Sequence, residues 1–386
     1  MKRDTRALAA GLAAFVNFVN LYTPQAILPV LTADFAVAPA RTGLTVTAPL
    51  IAVALVAPFA GGISDRVGRK RLIVGASLLL FLPTLVLAAT TNFELFLLAR
   101  FAQGLLLPFI FTVTVAYMGE ELQGQQAVDA AGAYTIGSII GGFGGRFLAG
   151  VIADIAGWRT AFVLVAIMTL LGAVLLGKLL PKEQRFRPIT GGLGASLAAY
   201  ARHLGNIRLL GTCAVGFGML FSNVAVFTFV NFHLTAAPYN LSTSALGFVF
   251  AVYLVGIVTT TVATRLLVRI GRVATLVLAL GLSAAGLCAT LAPSLSLVIL
   301  GLAGLSGGLF VTQTICINWI GANITRAKSS AVGLYVTIFY VGGSLGGIVP
   351  GLVFHAFGWQ GVVMLVTATM MAMLAIANLS WARRGA

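Results

Sequence analysis

The chain reads as an all-α membrane protein of twelve transmembrane helices in two pseudo-symmetric six-helix halves. Three observations carry that reading. It is 59% hydrophobic and 9% charged, with 45 glycines in 386 residues, where a soluble domain carries roughly one quarter charged residues. Its apolar runs have the length of about 20 residues that a helix needs to cross a bilayer. They lack strand-like alternation, and only helices or closed barrels satisfy the backbone in lipid. Finally, the segment Gly132–Trp158 recurs as Gly333–Trp359, with Gly132/Gly333, Tyr134/Tyr335, Gly141/Gly342, Gly145/Gly346, Gly150/Gly351 and Trp158/Trp359 in register.

In chain order, the first half holds spans near 7–31, 43–63, 72–90, 93–118, 127–152 and 160–180. The second holds 207–233, 243–264, 273–292, 296–320, 330–354 and 360–380. The first run follows Lys2, Arg3 and Arg6. It stays as a helix because it lacks the short core and small-residue cleavage site of a removable leader. The second and third flank Gly61–Arg71, GGISDRVGRKR, a charged turn at the lipid–water boundary. The fifth carries Gly137, Gly141 and Gly145, and the eleventh repeats that spacing with Gly342/Gly346 and Gly343/Gly347. Small residues four apart let helices approach closely, which serves either static packing or a gating hinge. Between the halves, 1–180 and 207–386, lies an Arg-rich cytoplasmic linker over 181–206. There Pro181, Pro188 and Gly191-Gly192 break the helical pattern, and 193–204 is amphipathic.

A net charge of +15 would suggest nucleic acid in a soluble protein, but its distribution is topological. With the N-terminus inside, 20 of the 24 Lys and Arg fall in or beside cytoplasmic segments, the exceptions being Arg41, Arg100, Arg146 and Arg159. That is the positive-inside bias, and it places both termini in the cytoplasm with no nucleic-acid partner. Cys213, Cys288 and Cys316 lie inside helices and read as small buried hydrophobes. The sequence holds no Walker loop, metal-ligand spacing or nucleophile constellation, so it points to no enzyme, cofactor or metal.

The spacing Gly-x3-Asp-Arg-x-Gly-Arg-Lys-Arg at 61–71 resembles the signature loop of the major facilitator superfamily of secondary transporters. A worn copy stands in the second half: Thr264, Arg265, Val268, Arg269, Gly271 and Arg272 fall where Gly61, Gly62, Asp65, Arg66, Gly68 and Arg69 fall. The resemblance implies parallel halves with a midplane site between them. It gives Asp65 a gating role at the start of the eleventh helix, with Arg66 and Arg69 holding the loop and Gly61 and Gly68 allowing close approach and a tight turn. Glu120 and Glu121 stand where a basic partner is usual, and we expect them to pair with Arg66 or Arg69. In helix 5, Gly141-Gly142-Phe143-Gly144-Gly145-Arg146 is similar to the variant of the YnfM/AraJ-type branch of bacterial efflux permeases. That likeness implies a multi-pass protein of the bacterial inner membrane, acting as a monomer.

Polar groups within spans are costly and mark candidate sites. Helix 1 carries Asn17, Asn20, Pro24 and Gln25; helix 4 carries Arg100 and Gln103; helix 5 carries Arg146. Helix 7 offers Asn223, Thr228, Asn231 and His233, and helix 10 offers Gln313, Thr314, Asn318 and Asn323. We take Asn17, Asn20, Gln25, Arg100, Gln103, Arg146, Asn223, Asn231, Gln313 and Asn318 as substrate-binding candidates, though single amides read equally well as interhelical hydrogen bonds. The run Arg100-x2-Gln-Gly resembles the family's helix-4 motif, whose Arg is associated with proton coupling. Asp34 and Asp154 fall at outer helix ends, where capping is the simpler role, and no carboxylate sits deep in helix 1. Proton coupling then falls to Arg100, Asp129 or His233. The expected function is export of a small organic solute by alternating access through H+ antiport. The alternatives are H+-coupled uptake or facilitated exchange of an organic anion, or a membrane sensor that binds without transporting.

Overall fold

The computed structural model describes residues 5–184, 201–325 and 328–381, and among these the regular elements are helices, with no strand. The first half contains α1 (Thr5–Asp34), α2 (Pro39–Val67), α3 (Arg69–Ala89), α4 (Phe93–Glu121), α5 (Gln125–Ala156) and α6 (Trp158–Leu179). The second contains α7 (Ile207–Thr235), α8 (Thr243–Ile270), α9 (Arg272–Ala289) and α10 (Leu295–Asn323). The last stretch, Lys328–Trp381, leaves helical geometry at Gly358 (φ 61°, ψ −155°). It therefore makes two passes, α11 (328–357) and α12 (359–381), which brings the membrane-length helices among the described residues to twelve. At 1.5 Å per residue, the 32 residues of α5 reach about 48 Å, well beyond a hydrocarbon core of about 30 Å. Of the expected linker, residues 185–200 lie outside the described residues.

Two details differ from the sequence expectation. The charged segment at 61–71 is not a loop: α2 continues to Val67 and α3 begins at Arg69, with Gly68 alone turning the chain at φ 99°. Gly68 also crowds Glu183, whereas a side chain at Gly61 would meet open space, so Gly61 plays no part in a tight turn. Gly271 (φ 80°) turns α8 into α9 in the same way. The second difference is in α1, where Thr23–Ile27 tightens into a 3-10 turn with Pro24 at its start. A proline nitrogen cannot donate to the helical ladder, so the helix rewinds there.

Both halves pack their glycines alike. A Cβ at Gly141 would lie 2.6 Å from the Phe15 carbonyl oxygen, and one at Gly145 would lie 2.9 Å from that of Val19. In the second half Gly342 abuts the Phe217 backbone, and a Cβ at Gly346 would stand 2.5 Å from the Phe221 oxygen. The α1–α5 pair and the α7–α11 pair are thus held backbone to backbone, where a methyl group would separate them.

The chain resolves into two compact units. One comprises Met1–Val37, Ala48–Gly191 and Ser242–Phe250; the other comprises Ala38–Thr47, Gly192–Leu241 and Ala251–Ala386. The first has an aromatic core at one end, where Phe35, Phe96, Trp158 and Phe162 meet at centroid distances of 5.5 to 5.9 Å. In the second, Phe229 lies 5.6 Å from Phe354 and 6.2 Å from Phe232.

Candidate functional site

A guanidinium in the hydrocarbon layer demands partners, and Arg100 finds them on α1. Its Nη1 donates to the Asn20 carbonyl at 2.8 Å and to Gln103 Oε1, and its Nη2 donates to the Leu21 carbonyl at 2.7 Å. Those carbonyls come near the point where Pro24 interrupts the helix, which exposes main-chain acceptors. Gln103 Nε2 donates to Thr84 Oγ1 at 2.8 Å, Thr84 donates to Asn20 Oδ1 at 2.7 Å, and Asn20 Nδ2 donates to Thr169 Oγ1 at 2.8 Å. The network ties α1, α3, α4 and α6 together, and Arg100, Asn20, Thr84 and Thr169 are all at or below 1% exposure. Thr84 and Thr169 escaped the sequence reading because a threonine in a helix usually bonds its own i−4 carbonyl, and nothing in its spacing names a partner.

Asn17, one turn earlier, is different. It is fully buried, yet neither its amide nitrogen nor its amide oxygen has a hydrogen-bond partner among the described residues. An amide left so costs about 1–3 kcal/mol.

Arg146 is 2% exposed and is held on several sides. Nε donates to Gln25 Oε1 and Nη1 to the Gly142 carbonyl, both at 2.8 Å. Its carbon lies 3.9 Å from the Tyr22 ring centroid and 4.8 Å from that of Phe250, a cation–π geometry on two rings. The segment that brings Phe250 is Ser242–Phe250 of the same compact unit; no spacing rule pointed to it.

At the start of α3, Arg69 gathers the charged groups. Its Nη2 lies 2.6 Å from Asp65 Oδ1 and 2.6 Å from Glu120 Oε1, and Nε donates to Glu120 Oε2 at 3.1 Å. Nη1 also donates to Ser64 Oγ, a hydroxyl the sequence reading passed over. Glu121 Oε1 accepts the Gln184 amide at 3.0 Å, and Glu183 accepts that of Lys70 at 3.4 Å, so the start of the linker lies on this corner. Arg66 is exposed.

In the second unit, Asn223 Oδ1 accepts the Tyr253 hydroxyl at 3.0 Å, and Asn231 Nδ2 turns back onto the Phe227 carbonyl at 2.8 Å. His233 stacks on Trp359 at 5.3 Å and meets the edge of Tyr239 at 5.3 Å; its Nε2 is buried without a hydrogen bond among the described residues. Gln313 is half-buried and Asn318 exposed. Asp129 is exposed and accepts from Gln125 at 2.8 Å. No group of three or more His, Cys, Asp or Glu that could hold a metal occurs among the described residues.

Comparison with known proteins matches residues 10–237 to the Major Facilitator Superfamily. The inner membrane transport protein YnfM of Escherichia coli is 31% identical over 374 residues, covering 95% of this chain and 89% of that protein. An uncharacterized transporter of Buchnera aphidicola is 30% identical over 355 residues, covering 92% and 86%. Among solved structures, the nucleoside transporter NupG superposes with a TM-score of 0.80 at 14% identity, over 97% of this chain and all of that one (100%). At that identity the likeness speaks for the fold.

Proposed function

We propose, from the premise that this chain belongs to the Major Facilitator Superfamily, that it exports a small organic solute across the bacterial inner membrane in exchange for protons. Fold and relatives are those of multi-pass transporters rather than enzymes. The observation that carries solute binding is Asn17: a buried amide with both ends unsatisfied by the protein suits a solute offering an acceptor and a donor at once. The Arg100 network acts beside it as a scaffold, holding Asn20 and Gln103 and fixing the broken segment of α1. Arg146 with Gln25 supplies positive potential within the same unit; taken by itself, the second unit holds Asn223, Asn231, Gln313 and Asn318 as its solute-binding candidates. Two arginines at membrane depth favour neutral or anionic solutes, which also supports a second reading, exchange or uptake of an organic anion.

Export is supported by the Gly-Gly-x-x-Gly-Arg variant in α5, and the basic segments support cytoplasmic termini. The gate is assigned to Asp65, Arg69 and Glu120. Among the three coupling candidates, the geometry supports His233, whose Nε2 is buried and available beside Trp359. The test is solute flux in proteoliposomes with an imposed H+ gradient and a panel of sugars, organic acids and cationic dyes. Gradient-stimulated movement of one class supports antiport; flux indifferent to the gradient overturns it in favour of exchange. His233→Gln is expected to keep solute exchange and lose the stimulation.

A further inference from the structure

We propose that the end of the second unit where α8 turns into α9 is a binding site for an anionic glycerophospholipid, whose phosphodiester supplies a negative charge that the unit lacks. The chain has 9 Asp and Glu, and all of them lie at or before Glu183. They fall in Met1–Val37 and Ala48–Gly191 of the first unit, so the second unit has no side-chain carboxylate. It does have arginines, and Arg265, Arg269 and Arg272 surround a single turn.

The first unit shows what such a turn asks for. At Gly68, α2 passes into α3, and carboxylates answer the cations there. Arg69 pairs with Asp65 and Glu120, each at 2.6 Å, and Glu183 accepts the Lys70 backbone N–H at 3.4 Å in the first turn of α3. The worn copy of this segment turns at Gly271 (φ 80°), with Arg269 and Arg272 in the places of Arg66 and Arg69. Val268 stands in the place of Asp65, and α10 ends on Ala322-Asn323 where α4 ends on Glu120-Glu121. α9 begins with no side-chain cap and no acid in its first turn. The first N–H groups of a helix have no partner within it, and its dipole favours an anion there. The repeat has lost its own anion, so the charge must come from another molecule.

The surroundings select a lipid over a soluble anion. Arg265 and Arg269 are exposed, and apolar side chains are exposed among them, Val268 at 88%, Ile270 at 44% and Val273 at 40%. Arg272 is half-buried, its guanidinium carbon 5.6 Å from the Trp381 ring centroid. The Trp381 indole Nε1 donates to Thr212 Oγ1 at 3.1 Å, which joins α7, α9 and α12 at this end of the unit. Tryptophan at the end of a membrane-length helix lies at headgroup depth, where basic side chains attract anionic lipids. A headgroup phosphate pairs with the arginines while its acyl chains cover Val268, Ile270 and Val273. A soluble anion would leave those side chains uncovered.

The experiment follows the melting temperature of the detergent-purified full chain during titration with phosphatidylglycerol, phosphatidylcholine, inorganic phosphate or poly-glutamate. Phosphatidylglycerol is expected to raise it saturably and phosphatidylcholine to leave it unchanged. Arg272→Gln is expected to raise the phosphatidylglycerol needed for half-saturation about fivefold, the factor equivalent to about 1 kcal/mol per basic side chain at an anionic surface. Val268→Asp, which restores the acid that the first unit has at Asp65, is expected to do the same. Lys178→Gln, at an exposed position of the first unit, changes the net charge equally and is expected to shift half-saturation less than twofold. Should Arg272→Gln no longer elute like the parent, Arg269→Gln takes its place. Equal shifts from Lys178→Gln and the second-unit variants would reveal diffuse charge and overturn the site, as would the absence of a saturable rise or an equal rise with phosphatidylcholine. Stabilisation by phosphate or poly-glutamate at the same concentration overturns the lipid and assigns the patch to a soluble anion or an acidic protein.

Discussion

Asn17 and Asn20 sit one turn apart on α1 and have opposite fates. Asn20 is bound from α3, α4 and α6, while Asn17 has no partner among the described residues. Asn17→Leu therefore removes an unsatisfied buried amide and is expected to leave thermal stability equal or higher, by up to about 1–3 kcal/mol, while solute flux falls at least tenfold. A drop in melting temperature with normal flux would assign Asn17 to packing. Gln103→Leu is expected to do the reverse in its first effect, costing about 1–3 kcal/mol because Arg100 and Thr84 lose a partner in a buried network. Both amides were legible as polar residues in a span. Which one was already used by the protein was not, because that depends on the threonines that α3 and α6 bring alongside.

Among the elements, the glycine-lined helix pairs differ from the glycines of the charged turn. Gly141→Val or Gly346→Val inserts side-chain atoms where backbone already stands, at 2.6 and 2.5 Å, and overpacking of this kind costs about 1–3 kcal/mol. A thermal shift assay in detergent should show it for both, since the two halves use the same contact. Gly61→Ala, facing open space, is expected to be silent in that assay. Gly68→Ala is expected to cost about 1–2 kcal/mol, because an L-residue resists positive φ and its Cβ would also meet Glu183. Equal responses at Gly61 and Gly68 would argue against a single-residue turn. The repeat of the glycines was readable from the sequence, and their division into packing and turning positions followed only from the contacts.

For the whole molecule, charge distribution and helix count make one joint prediction. Cysteines at Lys70 and Arg269 are expected to be labelled from one side of the membrane and one at Ser294 from the other. Labelling of all three from a single side would break the twelve-span arrangement. Glu120→Gln is expected to weaken the Arg69 corner by less than about 1 kcal/mol, since Glu120 is 39% exposed and exposed pairs are screened. A larger loss in the thermal shift assay would show the corner to be shielded.

Hydropathy, charge asymmetry and the internal repeat determined the helical class, the number of spans and the kinship of the halves, because each depends on residue type and chain spacing against a slab of fixed thickness. The α1 partners of Arg100, the Gln25 and Phe250 partners of Arg146 and the backbone contacts of the glycine-lined helix pairs were decided by the tertiary structure. Each joins residues far apart in the chain, and hydrogen bonds, ring contacts and close backbone approach act over a few ångströms of space that sequence separation does not encode.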